Sequence, residues 1–441
     1  MQEDLRGVPV SHGNAEALDR YEVALRQFQS YVGDPIATLD GALSESPDFV
    51  MGHLFRALAL FTMSEKSMLP TIEQSLASAE RFRSTANDRE RGLMDATARF
   101  VGGDWHAGSL LLDRVLATHP RDALALQVGH LMDFFRGDTL NLRNRISRVL
   151  PAWDERTPGF SYVLGMHAFG LEEMNQYAEA EGTAMRALAL EPKDGWAVHA
   201  VTHVMEMQGR IDEGARFLAA RENDWSPDNG FAFHNWWHLT LFHLDAQRYA
   251  DALALYDTRV HPGPAQFVLS LIDATALLWR LRLENVDVGR RFDGVADEWE
   301  ARLDQDRAFY AFNDVHAMLA FAAAGRTAAI ERLAANLALA AAGTGTNAAM
   351  SREVGIPVAQ GIEAFARGRY GDALDLIEPV RDIAHRFGGS HAQRDLLTLT
   401  MIEAALRSGQ TARARHFIAE RTVHKPQSAW GWRLAQRAAA H

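Results

Sequence analysis

The 441-residue sequence contains no cysteine, which excludes disulfides, thiolate metal sites, iron–sulfur clusters and cysteine nucleophiles together. Any metal on this chain must take its ligands from His, Asp, Glu or water. Lysine is nearly absent too: Lys66, Lys193 and Lys425 are the whole complement, so positive charge is almost entirely arginine, which reads as the codon usage of a GC-rich genome. No segment concentrates Lys or Arg, and the formal net charge is −12. Both facts argue against phosphate-dominated nucleic-acid binding and against an anionic membrane as partner. No window approaches eighteen uncharged apolar residues, and Met1-Gln2-Glu3-Asp4-Leu5 has neither a basic nor an apolar leader region, so the expected address is the cytoplasm. The phosphate-binding Gly-Lys-Ser/Thr loop, the Gly-x-Gly-x-x-Gly fingerprint and the Gly-x-Ser-x-Gly elbow are all missing, which disfavours nucleotide-cofactor chemistry.

What is present is an apolar fraction of 47% without low-complexity tracts, enough for a sizeable core and an ordered chain. Internal periodicity decides how that core is organised. Asp194-Gly195-Trp196 through Gly209-Arg210 and on to Arg221 reads as an amphipathic helix, a glycine turn and a second helix. This resembles the tetratricopeptide pattern. With Gly209 as the turn glycine, repeats start near Arg89, Ala123, Ser161, Gly195, Phe233, Ile272, Ala311, Val354 and Asp395. Pro120, Pro192 and Pro426 then occupy one repeat position, after the second helix, where proline stops it. Turn signatures such as Asn175-Gln176-Tyr177 and Gly368-Arg369-Tyr370 add an aromatic in register, and His261-Pro262-Gly263-Pro264 inserts a few residues between two repeats. The reading is an all-α fold, a tetratricopeptide-type α-solenoid superhelix of about ten helix pairs. It is taken as one continuous helical-repeat domain over residues 1–441, with 15–88 as degenerate N-terminal helix pairs and 89–441 as recognisable repeats.

In such solenoids the first helix of each pair lines the concave, ligand-binding surface. His199, His203 and Glu206 share one face of the first helix starting at Gly195, and His234 and His238 form an i,i+4 pair on the next first helix, with Trp237 beside them. Successive first helices pack about 8–10 Å apart, so the two histidine pairs converge. Other polar inward positions are Tyr162, Glu172, Asp273 and Arg280, with Asp314, His316, His391 and Arg394 farther along, where curvature brings them across the groove.

This set supports three readings. The groove binds a small molecule or a peptide through His199, His234, Trp237, Tyr162, Glu172, Asp273, Arg280, Asp314, His316, His391 and Arg394. As a hydrolase, it uses His203, Glu206 and His238 as the catalytic group, either by metal-free acid–base chemistry or with a divalent zinc, manganese or iron ion on His199, His203, His234 and His238. As a scaffold it only binds proteins. No His-Glu-x-x-His motif favours the metal, single histidines on helices are more often packing than ligands, and Trp196, Trp225, Trp236 and Trp279 read as packing. A homo-oligomer is compatible with all three.

The run His199-Ala-Val-Thr-His203-Val-Met-Glu206-Met-Gln-Gly209-Arg210, then Asp224-Trp225 and His234-Asn-Trp-Trp-His238, is similar to the tetratricopeptide repeat protein 38 family. The resemblance continues through Tyr256-Asp257-Thr258 to Gly389-Ser390-His391-Ala392-Gln393-Arg394-Asp395. It implies the repeat fold and points to His199, His203, Glu206, His234 and His238 directly, and to His316 and His391 more loosely. It names no reaction.

Overall fold

A computed structural model describes residues 2–11 and 14–440 of the chain. Among the described residues the strands are β1 (Gln2–Glu3) and β2 (Pro9–Val10), an antiparallel ribbon, and the rest is helical hairpins. The chain divides into two compact units: one runs through Val201 and includes Glu222–Ala232, and the other takes Thr202–Arg221 and everything from Phe233 onward.

The first unit pairs α1 (Ala15–Ser30) with α2 (Pro35–Glu45), α3 (Val50–Phe61) with α4 (Leu69–Glu80), α5 (Asp88–Val101) with α6 (Trp105–Thr118), α7 (Ala123–Phe135) with α8 (Thr139–Val149), and α9 (Phe160–Glu173) with α10 (Tyr177–Leu190). The division falls inside α11 (Gly195–Met207), which is followed by α12 (Ile211–Ala220), and the short α13 (Glu222–Trp225) belongs to the first unit. The second unit continues with α14 (Ala232–Asp245) and α15 (Tyr249–Leu255), α16 (Val268–Leu283) and α17 (Arg291–Asp306), α18 (Ala311–Ala324) and α19 (Thr327–Ala341). After α20 (Thr346–Met350) come α21 (Ile356–Ala366) with α22 (Tyr370–Ile377), α23 (His391–Arg407) with α24 (Thr411–His424), and α25 (Ala429–Ala439). No helix among the described residues is long and apolar enough to cross a membrane.

The repeat register matches this order. Repeat starts at Arg89, Ala123, Ser161, Gly195, Phe233 and Ala311 fall within one residue of the starts of α5, α7, α9, α11, α14 and α18. Pro120, Pro192 and Pro426 each stand two residues beyond the ends of α6, α10 and α24. Two starts are late, because α16 and α23 carry an extra N-terminal turn, which for α23 a reciprocal Ser390/Gln393 capping box nucleates, and Val354 falls inside the Ser351–Gly355 segment that precedes α21. Asp or Asn caps set α1, α2, α5, α6, α7 and α8 in the same way, each accepting a first-turn N–H. First helices are buried nearly all round, as in α7 and α18, whereas α8 and α19 bury a single stripe. That asymmetry gives each repeat its inner and outer helix.

Gly209 shows why the turn needs glycine. Its φ is +70°, and a Cβ there would lie 2.6 Å from the Cβ of Gln427. The segment after α24 therefore rests on the α11–α12 turn. Within the second unit the last hairpins return to the first: α23 packs on α16, Trp279 Nε1 donates to Thr400 Oγ1 at 3.0 Å, and Asp245 at the end of α14 accepts from Ser428 Oγ at 2.7 Å and Trp430 N at 3.1 Å.

One cap has a consequence for pH. Fully buried Asp194 accepts from Trp196 N at 3.1 Å and Ala197 N at 2.9 Å, and burial pushes its carboxyl up to about 7, with Glu191 adding to the rise. A carboxyl whose folded pKa lies above its unfolded value of about 4 favours folding while protonated, so its contribution is lost as pH rises from about 4 to 7. Asparagine keeps the capping oxygen and removes the charge. In thermal melts from pH 5 to 8.5, Asp194→Asn is expected to flatten the alkaline fall in Tm and to melt above wild type at pH 8. A parallel fall in both proteins would refute this.

Candidate functional site

The site is built on α11, α14 and α16, each a first helix. His203 and Glu206 lie on the part of α11 that belongs to the second unit, His234, Trp237 and His238 on α14, and Asp273 and Arg280 on α16. All are buried. The ring centroids of His203 and His238 are 4.4 Å apart, and those of His234 and His238 are 4.9 Å apart. His203, His234 and His238 each offer a ring nitrogen, the three within 4.8 Å of one another.

Two of these imidazoles are held by carboxylates. His234 Nδ1 meets Asp273 Oδ2 at 2.6 Å, and His238 Nδ1 meets Glu206 Oε2 at 3.0 Å. An ionised carboxylate can only accept, so each Nδ1 carries the proton and the lone pair is placed on Nε2. The indole of Trp237 stacks on His234 at 5.2 Å, and the Arg280 guanidinium lies 5.3 Å over that indole. Arg280 is fixed from behind by the carbonyls of Ala392, at 2.7 Å, and Gln393, at 3.3 Å.

Charge is close to balanced here. Burial opposes ionisation of Glu206, but Lys425 and then His203 outweigh it and hold the carboxyl below its usual range. Burial pulls Arg280 down to about 10 and raises Asp273, where His234 offsets part of the rise. His238 is pushed well below its ordinary value, by burial first and by His203 and His234 next, so it stays neutral.

His203, Glu206, His234, Trp237, His238, Asp273 and Arg280 thus come together as the inward positions of the repeat require. His199, one helical turn before His203, belongs to the first unit and is packed among Phe169, Trp196 and Phe231. Tyr162 and Glu172 are on α9 of that unit, Tyr162 lining a small cavity with His130 and Trp196. In the second unit, Asp314 lines a separate cavity with Trp299, Arg302 and Tyr310, and burial followed by Asp306 raises its carboxyl well above the ordinary value. His316 bonds the Phe312 carbonyl of its own helix at 2.8 Å, and burial lowers it to about 4. His391 and Arg394 sit on the first turn of α23, 3.5 Å apart.

Arg421 and Lys425 join the site without a signal in the repeat pattern, beside Asp395, the last of the repeat starts. Lys425 Nζ donates to Glu206 Oε1 at 2.6 Å and lies 3.4 Å from Asp395 Oδ2, while Arg421 grips Asp395 through two bonds at 2.8 and 2.9 Å. The one sequence clue was the rarity of lysine: the chain has three, and this one is buried.

No protein-family model matches the chain. Solved structures similar to it include the human IFIT1 dimer with m7Gppp-AAAA, at 12% identity and a TM-score of 0.45 over 98% of this chain and 96% of that one. Yeast Tom70 is similar at 12% identity and a TM-score of 0.38, over 80% and 88% of the two chains. The helical-repeat class itself rests on the hairpins described above.

Proposed function

We propose that the second unit holds a transition-metal ion on His203, His234 and His238 and uses it to hydrolyse a small substrate. The observation that carries this reading is that two of three clustered, buried imidazoles are bonded through Nδ1 to carboxylates. Metal-ligating histidines are oriented in this way, and the partner fixes the tautomer and raises ligand basicity. Bonds of 2.0–2.1 Å to a tetrahedral metal set nitrogens about 3.3 Å apart, so rings within 4.8 Å need close by no more than about 1.5 Å. Zinc, manganese and ferrous iron all suit this donor set.

A bound ion of this kind brings the pKa of a water toward neutrality. The protein's own groups do the rest. Asp273 and Glu206 orient His234 and His238, Arg280 and Trp237 wall the site, and burial keeps bulk water out. The resemblance to the tetratricopeptide repeat protein 38 family runs through His203, Glu206, His234 and His238 and supports a dedicated site here.

Protein purified without a histidine tag and incubated with zinc, manganese or ferrous iron is expected to retain one equivalent of metal per chain by elemental analysis, and to cleave an activated ester such as p-nitrophenyl acetate faster than its chelator-treated form. Failure to retain any of the three ions sinks the reading and leaves binding of a small molecule or peptide as the function of the pocket.

A further inference from the structure

Glu206 uses both of its oxygens. Oε2 accepts from His238 Nδ1 at 3.0 Å, and Oε1 accepts from Lys425 Nζ at 2.6 Å across 219 residues of sequence. Lys425 is itself held by Asp395 at 3.4 Å, and Asp395 by the paired bonds from Arg421. All of these groups are buried or nearly so: the side chains of Lys425 and Glu206 are 8% and 6% exposed.

We infer that Lys425 is a positioning residue for this site: by clamping Glu206 it fixes the His238 ring with its proton on Nδ1 and its Nε2 lone pair turned to the metal. The proposal rests on the metal-site reading for its affinity consequence and on geometry alone for its effect on the ring. A carboxylate bonded at one oxygen only is able to rotate about its terminal torsion, which is broad and soft. A second, charge-assisted bond at the other oxygen removes that freedom. Lysine suits this task better than the arginine used almost everywhere else in the chain. Its ammonium is a compact point charge with three rotatable donors, and it serves Glu206 and Asp395 at once. Arg421 in the same cluster shows the guanidinium geometry, bidentate on Asp395 with a further bond to Ser428 Oγ at 3.2 Å. Replacing Lys425 also leaves Glu206 and Asp395 as two buried carboxylates without the cation between them, so Glu206 is driven off its bond to His238.

The test uses the full chain with ring-¹⁵N histidine and reads the His238 tautomer by long-range proton–nitrogen correlation, with metal affinity measured in parallel by chelator competition for zinc. Wild type is expected to show the proton on Nδ1 of His238. Lys425→Met is expected to lose that single tautomer and to bind zinc about 10–100-fold more weakly, the usual effect of removing a partner behind a ligand. Lys425→Arg is expected to restore part of both. Should Lys425→Met not fold, as judged by its melt, Lys425→Gln carries the same test.

An unchanged tautomer and unchanged zinc affinity in a folded neutral variant overturn the proposal. A wild-type His238 carrying its proton on Nε2 overturns it without any variant. If wild type binds no metal yet the tautomer responds as described, the hydrolase reading fails and the positioning role stands. If wild type binds metal and Lys425→Met changes neither quantity, the reverse holds.

Discussion

Alanine at His238 is expected to strip the metal from the second unit while leaving the unit folded. Structural zinc contributes roughly 10–16 kcal/mol, which over four ligands is about 2.5–4 kcal/mol each, or about two to three orders of magnitude in affinity per ligand lost. His238 is the member whose loss is read most cleanly. It stands between His203 and His234, at ring separations of 4.4 and 4.9 Å, so its loss breaks the set in the middle. Its carboxylate partner does not become an uncompensated charge, because Glu206 keeps its 2.6 Å bond from Lys425. Removing His234 instead would leave Asp273 buried without its partner and mix a folding defect into the result. Elemental analysis and chelator competition on His238→Ala, beside a melt to show that it folds, are the measurements. Retention of one equivalent at wild-type affinity would remove His238 from the ligand set and the proposed chemistry with it.

The second large effect lies in the first unit, where Arg89 and Asp122 are both fully buried. Asp122 accepts from Arg89 Nε at 2.7 Å with one oxygen and caps α7 by accepting from Ala125 N at 3.0 Å with the other. Arg89 also donates to the Pro9 carbonyl at 3.1 Å and to Tyr21 Oη at 3.2 Å, so the pair ties β2, α1, α5 and α7 together. Asp122→Ala removes the cap and leaves a buried guanidinium without its counter-charge, at an expected cost of about 3–5 kcal/mol. Hydrogen exchange of the peptides covering α5 and α7 in the full chain should accelerate by about two to four orders of magnitude. The double variant Arg89→Met/Asp122→Leu is expected to recover most of the loss, since an apolar pair of similar volume replaces a buried ion pair at little cost. A change of less than tenfold in Asp122→Ala would show that water or a neighbour relieves the charge. Acid weakens the same pair: burial opposes ionisation of Asp122, but Arg89 outweighs it and holds the carboxyl below its ordinary value. Its contribution is present above pH about 4 and is lost as pH falls through the folded value.

The fold was legible because repeats write the same instruction many times. Glycine at the turn, proline two residues past the second helix and an apolar stripe at helical spacing each mark the same boundary, and six starts land within one residue. Where the register slipped, at Ile272 and Asp395, an added first turn had moved the helix start, and only the Ser390/Gln393 cap recorded it. The site was legible in the same measure as it followed the repeat. His203, Glu206 and His234 stand at inward positions of adjacent first helices with His238 one place further around, and helix packing alone brings them together. Asp273 and Arg280 follow for the same reason on α16.

What the repeat does not encode was not legible. Lys425 lies between helices, outside the inward positions, and reaches Glu206 only because the end of the second unit returns to its beginning. Asp314 and His316 were expected across the groove by curvature, yet one lines a different cavity and the other bonds its own helix. Spacing says which way a side chain points, and not how far it stands from a given partner.

That return of the chain sets the order in which the second unit is completed. Most contacts in a helical repeat join near neighbours in sequence, so hairpins fold as they are made. The bonds from Lys425 to Glu206, Ser428 to Asp245 and Trp430 to Asp245 span 219, 183 and 185 residues. They tighten a loop that α23 has already closed on α16 through the Trp279–Thr400 and Arg280–Ala392 bonds, so little further entropy is lost. During synthesis the three histidines are therefore in place well before the lysine that steadies them. The site receives its last piece when residues 425–430 have been made and dock.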